Sequence, residues 1–263
     1  MTLAPAPSDF GDQPGRTTGR PALLAVSQGS KDLTDDVAVD ELLAAVGRAA
    51  SGLHIVGAVI DVQQPDLTRV LAERLAPGEP VIAVPLMLSA GLHLQGDLAQ
   101  GLAGDRNRRS AMTAALGPDD VIVQLLAARL RERGLAPTDV VVLAAIGSSD
   151  HRAVRDCVDA GRRLAGLLER NVTVGFISAA VPRLSAAVDT MRRLHPGSRV
   201  VVASYLLSPG RFAEVAAEAG GDLVAGPLLI PGRRPPQALV DLVLSRYRDG
   251  LVRIARDETS VRS

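Results

Sequence analysis

Short runs of consecutive apolar residues alternate along this chain with longer segments whose apolar positions recur every three to four residues. The runs cover 22–27, 55–62, 80–85, 112–116, 140–145, 172–178, 199–206 and 222–224. Most are continuous Val, Ile, Leu and Ala, which predicts strands buried on both faces. The segments between them predict amphipathic helices. One stripe is Val39, Leu42, Leu43, Val46 and Ala50, and another is Leu67, Val70, Leu71 and Leu75 behind a candidate N-cap at Asp66. A third is Val154, Cys157, Val158, Ala165 and Leu168. The last is Leu239, Val240, Val243, Leu244, Tyr247, Leu251 and Ile254, entered through Pro235 and Pro236. Strand–helix alternation predicts an α/β fold with parallel sheets.

The pattern repeats. Gln28-Gly29-Ser30-Lys31-Asp32 returns 118 residues later as Ile146-Gly147-Ser148-Ser149-Asp150. Leu88-Ser89-Ala90-Gly91-Leu92-His93 returns at a distance of 119 as Leu207-Ser208-Pro209-Gly210-Arg211-Phe212, and Gly57 matches Gly175 at 118. Three anchors in one order predict two homologous parallel-sheet α/β halves, residues 21–134 and 135–256, facing each other across a cleft. Residues 1–20 read as a disordered tail and 257–263 as a second tail.

Composition narrows the function. Apolar residues make up 47%, yet there are only three Phe, two Tyr and no Trp, so the core is aliphatic. Few aromatics and a net charge of zero argue against nucleic acid, which needs stacking platforms and a basic footprint. No apolar run reaches the ~18 residues of a membrane span, and no leader pattern is present, so a cytoplasmic protein is expected. The single cysteine, Cys157, excludes an internal disulfide and a Cys-rich metal site, and its helical stripe marks it as a buried thiol.

In parallel sheets, ligands bind beyond the carboxyl ends of the strands, where both repeated motifs fall. Gly-Ser-x-Asp is explained equally by structure, with Gly for a tight strand exit and Ser or Asp as a helix cap, and by a functional role of Ser30 and Asp32. Only the first half puts a histidine, His93, in the second motif; Phe212 stands there in the other. One working site is therefore expected, in the first half. His54 reads as an exposed residue, His151 as a helix start, and His195-Pro196-Gly197 as a helix stop. Arg106, Arg108 and Arg109 read as a solvated loop.

Pro85-Leu86-Met87-Leu88-Ser89-Ala90-Gly91-Leu92-His93, the two Gly-Ser motifs and Leu116-Gly117-Pro118-Asp119 together resemble the sirohydrochlorin chelatases, class II enzymes of the CbiX/SirB type, in their long two-half form. The resemblance spans nearly all of 21–256. It implies insertion of Fe²⁺ or Co²⁺ into a sirohydrochlorin-like polycarboxylate tetrapyrrole, in siroheme or cobalamin synthesis. It implies no permanently bound cofactor, the metal being a substrate. The family's first histidine falls on Gln28 and its glutamate on Asp61, while His93 carries over unchanged. The resemblance thus implies His93, Gln28 and Asp61 as catalytic residues, with His93 and Asp61 as metal ligands. Ser30, Leu88, Ser89, Ala90, Gly91, Leu92 and Arg211 would bind the substrate, the arginine because its fork suits a carboxylate. A neutral amide at Gln28 is a weak ligand and no base near pH 7. The alternative is a degenerate relative that binds a tetrapyrrole or metal without turnover. A monomer or weak homodimer is expected, since the halves are already joined.

Overall fold

A computed structural model describes residues 19–28, 33–60, 67–89, 92–103 and 109–261. Among the described residues, eight strands and eight helices alternate. The first sheet contains β1 (Ala22–Gln28), β2 (Ile55–Ile60), β3 (Val81–Pro85) and β4 (Ser110–Met112), in spatial order β2-β1-β3-β4. The second contains β5 (Val140–Ala145), β6 (Val172–Phe176), β7 (Val200–Tyr205) and β8 (Leu223–Ala225), in the matching order β6-β5-β7-β8. Every pairing is parallel. The α/β fold with two parallel sheets is therefore as expected, and so is each strand but one. The fourth strand ends at Met112, where 112–116 was expected to begin it. Past Met112 one ladder bond remains, Thr113 N–H to Ala83 O at 3.0 Å, and the chain then turns so that Leu116 N–H donates to Met87 O at 2.9 Å.

The helices are α1 (Leu33–Ala49), α2 (Leu67–Arg74), α3 (Leu92–Ala103), α4 (Asp120–Glu132), α5 (His151–Leu168), α6 (Leu184–Leu194), α7 (Arg211–Ala217) and α8 (Gln237–Val261). Asp66 and the 1–18 segment lie outside the described residues, and α8 continues past Arg256 into the segment read as a tail. No helix among the described residues is long and apolar enough to cross a membrane.

Alternation along the apolar strands sorts side chains into layers. Leu23 and Ala25 of β1, with Val141, Leu143 and Ala145 of β5, face one shared core that also holds the buried sides of α1, α4, α5 and α8. Ala22, Leu24 and Val26 face a separate core under α2 and α3, and Val142 and Ala144 another under α6 and α7. Four helices thus lie between the two sheets.

The last helix of each half crosses over. Helix α4 packs on β7 and β8 of the second sheet, and α8 packs on β3 and β4 of the first. Arginines fasten both crossings to main-chain carbonyls. Arg129 of α4 donates to Leu228 O at 3.0 Å and Arg133 to Val224 O at 3.2 Å. From α8, Arg246 donates to Ala115 O at 3.0 Å and to Asp119 at 2.8 Å, and Arg253 donates to Met112 O at 2.6 Å. Tyr247 adds a bond to Pro21 O at 2.6 Å.

One repeat anchor is a coincidence. Ala25 pairs with Gly57 and Ala144 with Gly175, but Ala25 faces the shared core whereas Ala144 faces away from it. A Cβ on Gly57 would meet Leu43 of α1 at 3.2 Å; on Gly175 it would meet Leu184 of α6. The position equivalent to Gly57 is Val174, and the helix residue facing it is Gly161, where a Cβ would lie 2.7 Å from Val174 Cγ2. The first half therefore places the bulk on the helix and the gap on the strand, and the second half reverses them. Gly161→Leu should destabilise the fold by about 2 kcal/mol through overpacking. Adding Val174→Gly recreates the first-half arrangement and should recover about 1 kcal/mol or more, read as coupling in a denaturant-unfolding double-mutant cycle.

Candidate functional site

The sheet order brings the signature positions to one edge. Gln28 is the last residue of β1 and pairs with Ile60, the last residue of β2, directly ahead of Asp61. On the other side of β1, β3 ends at Pro85, and α3 begins at Leu92 with His93 as its second residue. Gln28 thus ends the central strand, flanked by the exits of β2 and β3 at the sheet's carboxyl edge. Asp61, Ser30, Ala90 and Gly91 lie outside the described residues, as do Arg106 and Arg108.

Residues 86–89, which leave β3 on the way to His93, are held by a series of bonds. Leu86 N–H donates to Val26 O at 2.7 Å, which extends the ladder one step beyond Pro85. Met87 O accepts from Leu116 N at 2.9 Å and Gly117 N at 3.2 Å. Leu88 is buried, and its carbonyl accepts the hydroxyl of Tyr205, at the end of β7, at 2.6 Å. The Ser89 side chain bonds the thiol of Cys157 on α5. Both residues that open the motif are therefore held by the second half.

The second copy shows what the motif does structurally. Gly147 has φ 87°, and a Cβ there would collide with Ser178 O, so glycine is required. Ser148 Oγ accepts from Asp150 N at 3.0 Å, and Asp150 caps α5 by accepting from Arg152 N at 2.8 Å. Gly210, with φ 129°, precedes α7. Arg211 is exposed and reaches along its own helix to Glu214 at 3.5 Å, and Phe212 beside it is exposed.

The other histidines sit elsewhere. His54 Nδ1 is 2.8 Å from Glu79, at the amino edge of the first sheet. His151 opens α5 and is exposed; His195 terminates α6, followed by Gly197 at φ 89°. Arg109 precedes β4, where its carbonyl accepts from Val81 N at 2.9 Å. No cluster of three or more metal-ligating side chains occurs among the described residues. Tyr205 escapes a reading based on catalytic residue types. The signal available for it was a polar-tipped residue in an aliphatic strand, just ahead of the second copy of the motif.

The CbiX family model matches residues 22–133 and 140–218, one stretch in each copy of the repeat. The chain belongs to the CbiX family. No curated protein matches it. Among solved structures, the Bacillus subtilis SirB with Fe³⁺ superposes with a TM-score of 0.68 at 19% identity, covering 88% of this chain and 95% of that one. The sirohydrochlorin chelatase SirB of Bacillus subtilis subspecies spizizenii, in complex with cobalt, gives 0.62 at 16% identity over 88% and 94% of the two chains. CbiX, the terminal enzyme of siroheme biosynthesis in denitrifying bacteria, gives 0.54 at 18% identity over 86% and 99%. These likenesses show the two-sheet chelatase-like fold of the family.

Cys157 is 1% exposed, and burial pushes its thiol up to about 11 against the opposing hydrogen bond from Ser89. A thiol neutral in the fold but ionised in the unfolded chain removes stability as pH rises from about 9 toward 11. The native protein at pH 8 should react with a maleimide at least ~100-fold more slowly than the denatured chain. Equal rates, measured by mass spectrometry, would show that the thiol is accessible.

Proposed function

We propose that the protein is a sirohydrochlorin chelatase of siroheme or cobalamin synthesis, inserting Fe²⁺ or Co²⁺ into a polycarboxylate tetrapyrrole. The observation that supports this reading is the convergence of the β1, β2 and β3 exits at one sheet edge of a CbiX-family fold, where Gln28 ends β1 and His93 opens α3 after β3. The reaction exchanges one divalent cation for two pyrrole N–H protons, so the site needs a ligand for the cation and an acceptor for protons. Imidazole does both near neutral pH. His93 is the base and a metal ligand, and Asp61 adds a carboxylate that lowers the energy of the bound cation. Gln28, in place of a histidine, offers an oxygen ligand but takes no proton, so both proton transfers fall to His93, Asp61 and water.

The substrate carboxylates meet Arg211 and the main chain of Ser30, Leu88, Ser89, Ala90, Gly91 and Leu92. Arg211 would leave Glu214 for that purpose, which costs little because the pair is exposed. The protein works in the cytoplasm as a monomer or weak homodimer, without a permanently bound cofactor. Gln28 also favours a second reading, a tetrapyrrole- or metal-binding relative that does not turn over.

Metallation of sirohydrochlorin by Co²⁺, followed by absorbance, separates the two. The chelatase reading expects a rate above the spontaneous one, a loss of about 100-fold in His93→Ala and a gain in Gln28→His. Tetrapyrrole binding with no acceleration would instead favour the non-catalytic relative. Failure to bind any tetrapyrrole would remove both.

A further inference from the structure

We propose that Tyr205 is a positioning residue, a hydroxyl from the second half that sets the backbone of the loop carrying His93. Its bearing on catalysis rests on the chelatase reading above. Tyr205 ends β7 and is 3% exposed. Packing alone does not call for a phenol there. The strand registers, Leu23 with Ile82 and Val141 with Val201, make Leu86 its counterpart in the first half, and Leu86 is buried equally well without a polar atom. A buried hydroxyl is unfavourable unless bonded, and this one bonds Leu88 O at 2.6 Å, across 117 residues of chain.

A second observation points the same way. Gly117 stands against this bond, and a Cβ there would collide with both Leu88 O and the Tyr205 hydroxyl. The chain thus keeps a glycine where any other residue would break the contact. Leu88 opens the motif that ends at His93, and Ser89 is held in turn by Cys157 of α5. With Met87 already fixed by Leu116 and Gly117, the Tyr205 bond is the next restraint on the approach to the histidine.

Tyr247 provides the comparison. It is also a buried second-half tyrosine, and it also donates to a first-half carbonyl at 2.6 Å, but to Pro21 at the amino edge of the sheet. Both Tyr→Phe variants remove one hydroxyl from the interface. Tyr205→Phe should lower kcat for Co²⁺ insertion about tenfold with KM within about twofold, the pattern of a misplaced group rather than lost binding. It should also speed amide hydrogen exchange across 89–94 about tenfold. Tyr247→Phe should lower the thermal midpoint comparably and leave kcat and that exchange unchanged.

The proposal is overturned if Tyr205→Phe leaves exchange at 89–94 unchanged. It is equally overturned if Tyr247→Phe reproduces its losses, or if wild type turns over and Tyr205→Phe matches its kcat. If wild type does not metallate at all, the exchange comparison still decides the positioning role, and only the chelatase reading falls.

Discussion

Unsatisfied carbonyls at the ends of short edge strands are the constraint around which this molecule is arranged. β4 and β8 have three residues each and lie at the margins of their sheets, so no further strand accepts or donates there. An aliphatic core supplies no hydrogen-bond donors of its own. The donors come instead from the other half. Arg133 reaches Val224 O on β8, and Arg253 reaches Met112 O on β4. Arg129 and Arg246 do the same just past those strands, at Leu228 O and Ala115 O. Exchanging α4 and α8 between the sheets is what brings these arginines within reach. It also merges the inner faces of both sheets into one core.

That arrangement bears on the site. A first half standing alone would lack α8 over β3 and β4, the Tyr205 bond to Leu88 and the Cys157 contact to Ser89. The second half is therefore part of the scaffold of the His93 loop, even though the corresponding positions of its own copy are Ile146 and Phe212. Both tyrosines in the chain serve this junction, each through a hydroxyl on a first-half carbonyl.

Much of this was legible in the residue pattern, for identifiable reasons. Continuous Val, Ile and Leu runs located seven strands closely, because strands buried on both faces tolerate little else. The fourth was displaced because Ala114 to Leu116 prolong the apolar run past the ladder, which ends with Thr113 N–H on Ala83 O at 3.0 Å. A repeat identifies equivalent residues but not the sheet on which they land, so the exchange of α4 and α8 was invisible. Gly57 and Gly175 matched by spacing, but the stretch from α5 to β6 is one residue shorter than that from α1 to β2, which turns the two glycines to opposite faces. The signature positions were readable because their residue types carry chemistry. Tyr205 was not, since its partner is a main-chain atom that no sequence pattern marks.

The two copies act as internal controls for each other. Gly147 exists because Ser178 O leaves no room for a Cβ, and Asp150 because α5 needs a cap. These features answer to folding, and the corresponding Gly29 and Asp32 satisfy the same sequence rule. Gln28 against Ile146 and His93 against Phe212 are different, since neither strand exit nor helix start demands an amide or an imidazole. The apolar members of those pairs show that the local fold forms without polar groups at these positions. Under the proposed chelatase reading, what the first half keeps there answers to what it binds. On that same reading Gln28 is the informative member: it preserves polarity and ligand capacity while giving up basicity, which would move the proton-accepting burden onto His93.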